Sequence, residues 1–244
     1  MRNVKLTIQY DGTNYQGWQT QSGGPTIQGE LTKVISMLDQ RPVVLRGAGR
    51  TDSGVHAEGQ VATCLIERDF STREFRDAIN GNISRDIRVM HAEYVDERFH
   101  ARISAKQKTY RYQIWTGEVM SPFTYRYFYH IRSPLSADEM QRAAAYLLGN
   151  HDFSAFVGTG ADTESNVRTL YQLHVETKPD HLVVTARANG FLRYMVRTIV
   201  GTLIEVGRRR RPPESLLDLL SSLDRGQAGQ TAPAAGLTLV RVDY

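Results

Sequence analysis

One aspartate stands in a glycine-rich stretch that could bring a reactive carboxylate against a bound ligand. Residues 47–61 read GAGRTDSGVHAEGQV, with four glycines around Asp52 and predicted strands on both sides. Glycines allow sharp turns and the close approach of another molecule, and a carboxylate held there can act as a nucleophile or a base. A tight turn in which Asp52 bonds to its own backbone explains the same residues. The spacing matches neither glycine motif that cradles phosphates, GxxxxGK[ST] or GxGxxG.

Arginine is concentrated late in the chain, where six arginines fall within nineteen residues. They are Arg193, Arg197, Arg208, Arg209, Arg210 and Arg211. Such a cluster suits the phosphates of a nucleic acid, and the net charge of +4 with a pI near 9.2 permits that partner without requiring it. A solvated helix end, whose dipole favours cations, explains the run from 208 to 211 equally well.

The segment from 191 to 206 predicts a helix that carries Arg193 and Arg197 on one stripe. Like charges four residues apart are mildly destabilising unless an anion lies opposite. Arg197 borders the apolar stripe, and a guanidinium there needs a partner because it cannot lose its proton. A carboxylate such as Asp52 would serve, and the pairing would keep that carboxylate ionised.

Two tyrosines, Tyr110 and Tyr112, alternate along a predicted strand and therefore point to one face of a sheet. They can be ordinary packing residues. One of them can instead be a platform on which a nucleotide base stacks, a contact worth roughly 1 to 3 kcal/mol per base. We expect Trp18 to pack in the core or a loop, and His56 and His100 to be hydrogen-bonded polar groups.

Several classes of protein are disfavoured by the sequence. No apolar run approaches the roughly 18 residues of a membrane span, and the N-terminus lacks the features of a signal peptide. The single cysteine, Cys64, excludes an internal disulfide, and no pair of histidines has metal-ligand spacing. We therefore expect a cytoplasmic protein with no metal and no membrane partner.

The predicted elements form two similar sets. In the first, strands at 4–10, 42–45, 60–66 and 88–95 alternate with helices that begin after Thr26 and Ser71. This order is the ferredoxin-like arrangement of many RNA-binding modules. The second set has strands at 108–115, 125–131, 170–177, 182–188 and 237–242, and helices at 136–148, 191–206 and 214–223. We predict an α+β fold of two ferredoxin-like halves, residues 1–103 and 104–244, with mainly antiparallel sheets that flank a central cleft.

Six ordered motifs resemble those of one enzyme family. They are YDGTNYQGWQ at 10–19, GAGRTDSGVHA at 47–57, FHAR at 99–102, KTYRY at 108–112, DFSAF at 152–156 and FLRYMVRTIVG at 191–201. With the ending GLTLVRVDY, the similarity runs over essentially the whole chain. On these residues the sequence resembles the tRNA pseudouridine synthases of the TruA type.

The resemblance implies the pseudouridine synthase fold and an isomerase that converts uridine to pseudouridine at positions 38, 39 and 40 of the tRNA anticodon stem-loop. Enzymes of this type are homodimers and use neither cofactor nor metal. The resemblance further implies that Asp52 is the catalytic aspartate and that Arg197 is its partner. By the same resemblance, Tyr110 stacks on the target base and Arg50 helps to extrude the nucleotide. Whether Asp52 attacks C1′, adds to C6 or starts a glycal route stays open.

Two loops depart from the pattern of that family. Residues 82–87 read NISRDI and residues 231–236 read TAPAAG, where the family is richer in proline. Neither loop holds a catalytic position, so we expect an effect on loop conformation alone. Two rival functions are a non-catalytic RNA-binding protein and an N-glycoside hydrolase that releases free uracil.

Overall fold

The chain forms two compact units in a computed structural model that describes residues 1–158, 160 and 163–244. The first unit consists of Met1–Lys106 and Leu239–Tyr244, and the second of Gln107–Thr238. The predicted division at 103/104 stays a prediction. It did not include the last residues of the chain, Leu239–Tyr244, in the first unit.

Ten strands and five α-helices make up the described residues. In chain order they are β1 Arg2–Tyr10, α1 Ile27–Asp39, β2 Arg46–Gly47, β3 His56–Ile66, α2 Thr72–Asn82, β4 Ile87–Val95, β5 Gln107–Trp115, β6 Tyr129–His130, α3 Ala137–Ala145, β7 Gly149–Asp152, β8 Val167–Thr177, β9 His181–Ala188, α4 Met195–Gly207, α5 Ser215–Ser222 and β10 Leu237–Asp243. Three short 3-10 turns lie at Ser154–Phe156, Arg225–Gln227 and Ala234–Gly236.

The first unit has the predicted ferredoxin-like order. Strand β1 pairs antiparallel with both β4 and β3, and β2 and residues 239–243 of β10 lie on the other side of β3. The even-numbered residues of β1 from Val4 to Tyr10 are buried, as the alternation of the sequence predicts. Helices α1 and α2 begin where expected, because the Thr26 side chain accepts from the Gly29 N–H and Ser71 forms a capping box with Glu74.

The predicted strand at 42–45 is wrong. Its residues alternate between buried and exposed, but their backbone groups bond to side chains of α1 instead of to a neighbouring strand. The Val43 N–H donates to Ser36 Oγ at 3.0 Å, and the Leu45 carbonyl accepts from Gln28 Nε2 at 2.8 Å. Pairing with β3 begins only at Arg46. The sequence therefore did not indicate the hydrogen-bond partners of this segment, which are side chains of α1.

The second unit is built on an antiparallel sheet in the order β5-β9-β8-β7, and β6 adds a short parallel pair to β5. The predicted hairpin around Lys-Pro-Asp is confirmed as β8 and β9. Helix α3 begins after Ser136, whose hydroxyl accepts from the Glu139 N–H. Helix α4 is buried at eleven of its thirteen residues, so it forms much of the core of this unit.

The strand predicted at 125–131 and the helix predicted at 136–148 are shorter than expected, and one strand was missed. Within 125–131 only Tyr129–His130 are in a strand, because the Tyr127 N–H closes a turn onto the Thr124 carbonyl at 2.9 Å. The helix predicted from Ser136 to Leu148 ends at Ala145. Gly149, with a φ of 105°, lets the chain reverse into β7, a strand that the sequence pattern does not predict.

Candidate active site

Asp52 begins a tight turn within the glycine-rich segment 47–61. Its carbonyl accepts from the Val55 N–H at 3.1 Å, so Ser53 and Gly54 form the corners, and Gly54 takes the positive φ of 77° that this turn needs. A tight turn is therefore present, with Asp52 as its first residue, and the bond of the Asp52 side chain to its own backbone stays a prediction. Asp52 is half-buried and Arg50 is exposed, with its Nε donating to Gln19 Oε1 at 3.2 Å.

The two histidines near the motifs accept hydrogen bonds from the backbone. His56, which is buried, accepts from the Gly12 N–H through Nδ1 at 3.1 Å. Asp11 Oδ1 lies 3.2 Å from the same nitrogen. A ring nitrogen that accepts from Gly12 carries no proton, so it cannot donate to Asp11 at the same time. His100 Nδ1 accepts from the Arg102 N–H at 3.1 Å. Both residues are the hydrogen-bonded polar groups that we expected.

Tyr110 and Tyr112 lie on one face of β5, opposite Ala186 and Val184 of β9. Tyr110 is 7% exposed, and the ring of Phe191 meets it edge-on with centroids 5.1 Å apart. The Tyr112 hydroxyl donates to the Pro233 carbonyl at 2.8 Å. Burial raises the pKa of Tyr112, and the positive charge of Arg197 opposes that shift. Tyr112 is therefore a core residue, and the ring of Tyr110 lies nearly perpendicular to that of Phe191.

Arg197 projects from the first turns of α4 and is half-buried, as its place beside the apolar stripe predicts. Its Nε donates to the Ala232 carbonyl at 2.7 Å, and the Ala232 N–H donates back to the Arg197 carbonyl at 3.1 Å. The loop at 231–236 is thus tied directly to Arg197. The expectation that this departure from the family pattern affects loop conformation alone stays a prediction.

Arg193 is not on the same helix as Arg197. Residues 191–194 precede α4, because Tyr194 takes a left-handed conformation with a φ of 62° and caps the helix. The predicted helical stripe of Arg193 and Arg197 is therefore wrong. Instead, the two guanidinium groups lie 4.9 and 5.1 Å from the centroid of the Tyr194 ring. A non-glycine residue in this region is strained and is often found at functional sites.

The run of four arginines lies at the other end of α4. Since Arg197 is the third residue of α4 and Arg208 follows the last, about 17 Å of helix separates this run from Arg197. Arg209 has a φ of 56°, and the N–H groups of Arg209 and Arg210 bond back to Val206 and Glu205, which is a Schellman turn. The predicted helix end is therefore confirmed, and the contact with phosphate stays a prediction.

An open groove of about 860 Å³ lies beside this turn. Its lining consists of Ser133, Pro134, Leu135, Ser136, Gly207, Arg208, Arg209 and Arg210. Arg208 is held on the wall, where its Nε donates to Ser133 Oγ at 3.0 Å. Arg211 is turned away from the groove toward Glu205, at 3.5 Å, and the Gln227 carbonyl, at 2.7 Å.

Residues 1–158, 160 and 163–244 include no group of three or more His, Cys, Asp and Glu side chains that could hold a metal ion. None of the helices described in that part of the chain is long and apolar enough to cross a membrane.

A sequence model of the family described as tRNA pseudouridine synthase matches residues 6–103 and 143–244. The chain belongs to the tRNA pseudouridine synthase family. Curated members of the family match it along their whole length. The tRNA pseudouridine synthase A of Thermoanaerobacter sp. (strain X514) is 44% identical over 244 residues, which is all of both chains. The protein of the same name from Brevibacillus brevis is 42% identical, again over all of both chains.

As a tRNA pseudouridine synthase, the chain has its expected site residues in both units. Arg50 and Asp52 lie in the first unit, and Tyr110 and Arg197 in the second. Tyr110 falls between the two segments that the family model matches, whereas the other three fall inside them. Arg193 and Arg197 meet at Tyr194, and the run from 208 to 211 is remote from them along α4.

Two features of this synthase were missed at the level of sequence. The Tyr10 hydroxyl lies 2.8 Å from Thr51 Oγ1, next to Asp52 in the chain. Tyr194 joins two arginines through its ring. The motif that contains Tyr10 was noted, but strand periodicity gives no information on the partner of a hydroxyl. No sequence pattern predicts the left-handed backbone of Tyr194, because tyrosine rarely takes that conformation.

Proposed function

We propose that this protein converts uridine to pseudouridine in the anticodon stem-loop of tRNAs, at positions 38, 39 and 40, with Asp52 as the catalytic carboxylate. One observation carries the proposal: relatives named tRNA pseudouridine synthase A are 44% identical along the whole chain. The geometry of the Asp52 turn supports it. The turn leaves Asp52 half-buried, between an exposed Arg50 and an exposed Ser53, so that a bound nucleotide could reach the carboxylate.

The chemistry requires a group that can reach both the ribose and the base. The bond from N1 to C1′ breaks, the uracil turns, and C5 joins C1′. The proton on C5 leaves to water, and N1 gains a proton, so atoms and charge balance. A carboxylate can assist by attack on C1′, by addition to C6 or by removal of a ribose proton. All three routes place Asp52 against the nucleotide, and all three expel the proton of C5.

The proposal gives the neighbouring side chains distinct roles. A uridine inside a stem must be flipped out, at a cost of a few kcal/mol, and the exposed Arg50 is suited to occupy the space that it leaves. Tyr110 stacks on the flipped base. Since the ring is only 7% exposed, the residues around it must move for a base to enter. Arg197 pairs with Asp52 and keeps it ionised and oriented.

The remaining arginines contact the phosphates of the tRNA in this proposal. Arg193 is exposed at the start of α4. Arg208, Arg209 and Arg210 line the groove at the other end, while Arg211, held by Glu205, contributes less. A homodimer in the cytoplasm completes the proposal, and sedimentation of the purified protein tests the dimer.

The test uses tRNA transcripts that carry uridine at one of positions 38, 39 and 40 and cytidine at the other two. After incubation with the protein, the nucleosides are released by nuclease and separated. We expect pseudouridine from each transcript and none from a transcript with cytidine at all three positions. Free uracil would instead identify an N-glycoside hydrolase, and unchanged uridine on bound tRNA would identify a non-catalytic binding protein.

A further inference from the structure

We propose that residues 10–18 position Asp52 for the reaction, and that the Tyr10 hydroxyl does so through Thr51. This inference rests on the proposed catalytic role of Asp52. It concerns a positioning function, since none of these residues is placed against the substrate. The evidence comes from the contacts that residues 10–18, here called the clamp, make with residues 49–56, here called the Asp52 loop.

The first contact is a buried hydrogen bond between side chains. Tyr10 is 4% exposed, and its hydroxyl lies 2.8 Å from Thr51 Oγ1, which belongs to another buried residue. Gln60 Nε2 reaches the same hydroxyl at 3.4 Å and donates to the Gly49 carbonyl at 3.0 Å. A buried hydroxyl is costly unless it is hydrogen-bonded. A phenylalanine would fill the same place in the core, so the effect of the hydroxyl on the Asp52 loop can be tested by Tyr10→Phe.

Hydrogen bonds to the backbone of the clamp hold the loop on both sides of Asp52. Before it, the Trp18 N–H donates to the Thr51 carbonyl at 3.0 Å. After it, the Tyr15 carbonyl accepts from the Gly54 N–H at 3.3 Å and from Ser53 Oγ at 3.2 Å. The clamp therefore fixes both neighbours of Asp52 in the chain.

The clamp and the loop are in contact at their backbones. Gly17 has a φ of 86°, and a Cβ built on it would lie 2.5 Å from the Thr51 carbonyl oxygen and 2.9 Å from the carbonyl carbon of Asp52. No side chain fits between the two segments. Any displacement of the clamp is transmitted directly to the backbone of Asp52.

Such rigidity matters more for the chemical step than for binding. Reacting groups must be held close to their productive geometry, and a displacement of about 1 Å can lower a rate by about a hundredfold. Binding of tRNA depends on many contacts distributed over a large surface. Loss of the Tyr10 hydroxyl should therefore lower the rate of the chemical step and leave tRNA affinity unchanged.

The experiment compares Tyr10→Phe with Tyr244→Phe. Each variant loses one hydroxyl from the first unit, and the Tyr244 hydroxyl donates to the Ala101 carbonyl at 2.8 Å, away from the Asp52 loop. Single-turnover conversion of tRNA, tRNA dissociation constants and melting temperatures are measured for both. We expect Tyr10→Phe to lower the single-turnover rate about tenfold to a hundredfold, with affinity within about twofold, and Tyr244→Phe to keep the wild-type rate. The two melting temperatures should fall by similar amounts.

A second pair of variants tests the route through Thr51. Thr51→Val removes the hydroxyl and keeps the shape, whereas Thr51→Ser keeps the hydroxyl. We expect Thr51→Val to match Tyr10→Phe and Thr51→Ser to recover most of the rate. The double variant Tyr10→Phe/Thr51→Val should be no slower than the slower single variant, because both remove the same interaction.

Two results would overturn the inference, and they are distinguishable through Asp52→Ala. If Asp52→Ala is inactive and Tyr10→Phe keeps the wild-type rate, the hydroxyl is structural only and the proposed function stands. If Asp52→Ala itself keeps substantial turnover, Asp52 is not catalytic and the inference falls together with that assignment.

Discussion

The hydroxyl of Tyr10 lies 2.8 Å from Oγ1 of Thr51, and both residues are buried beside the turn that carries Asp52. The relationship links the first strand of the chain to a loop more than forty residues later. Tyr10 ends β1 and begins the motif YDGTNYQGWQ at 10–19. The motif supplies side-chain and backbone bonds to a loop that glycines alone would leave free to move.

The first prediction concerns stability at alkaline pH. Burial raises the pKa of Tyr10 from 10.0 to about 12, so the folded protein binds the phenolic proton more tightly than the unfolded chain does. The stability that results is complete below pH 10 and is lost as the pH rises from 10 toward 12. In that window the free energy of unfolding should fall by about 1.4 kcal/mol per pH unit through this group.

Urea unfolding of the wild type and Tyr10→Phe between pH 8 and pH 11 measures this effect. Other groups with raised pKa values, such as the buried Cys64 and the half-buried Tyr244, titrate in both proteins, so the difference isolates Tyr10. The alkaline decline should be shallower in Tyr10→Phe. Equal declines would show that Tyr10 does not titrate as its burial indicates.

The second prediction contrasts two glycines in the first unit. Gly17→Ala would place a Cβ 2.5 Å from the Thr51 carbonyl oxygen at a φ of 86°, so it should destabilise the protein by more than about 1 kcal/mol. Gly81 lies in α2, and a Cβ there meets nothing within 4 Å. Gly81→Ala should stabilise the protein by about 0.5 to 1 kcal/mol. Thermal unfolding of both variants is the measurement, and a loss of stability in each would refute the contrast.

The third prediction concerns the groove beside the end of α4. Replacement of Arg209 and Arg210 by glutamine should weaken tRNA binding and reduce the slope of log K against log salt by about 1 for each phosphate that is no longer neutralised. A matched control replaces Arg73 and Arg76 of α2, which pair with Asp77. Binding is measured at several salt concentrations. An unchanged slope in the Arg209/Arg210 variant would mean that the run is a solvated helix end.

The fourth prediction concerns the ring of Tyr110. Tyr110→Ala should slow single-turnover conversion, because a stacked base contributes roughly 1 to 3 kcal/mol. Tyr110→Phe should keep more of the activity, since it retains the ring that Phe191 holds edge-on at 5.1 Å. Single-turnover rates of the two variants decide the matter. Equal losses would assign the role to the hydroxyl instead of the ring.

Elements with local signals could be predicted from the sequence. The capping box of Ser71 and Glu74 marks the start of α2, and the turn residues between β8 and β9 indicate a hairpin. The alternation along β1 predicts its buried face. These features depend on residues that are close in sequence, so local sequence patterns predict them.

Features that depend on distant partners could not be predicted. The extended segment at 42–45 bonds to α1 instead of a strand, and the contact of Arg197 with the Ala232 carbonyl joins residues thirty-five apart. The strained backbone of Tyr194 breaks a helix that periodicity predicts. The role of Asp52 came from resemblance, because a turn aspartate by itself fits a structural function equally well.

The central claim is that Asp52 isomerises uridine in tRNA. Its most direct test is the release of tritium from tRNA labelled at C5 of uridine, measured for the wild type and for Asp52→Ala. The proposed function predicts that the wild type releases tritium to water as pseudouridine forms, while Asp52→Ala releases none and binds tRNA within about tenfold of the wild-type affinity. Tritium that stays on tRNA or on free uracil with the wild type, or its release to water by Asp52→Ala, would contradict the claim.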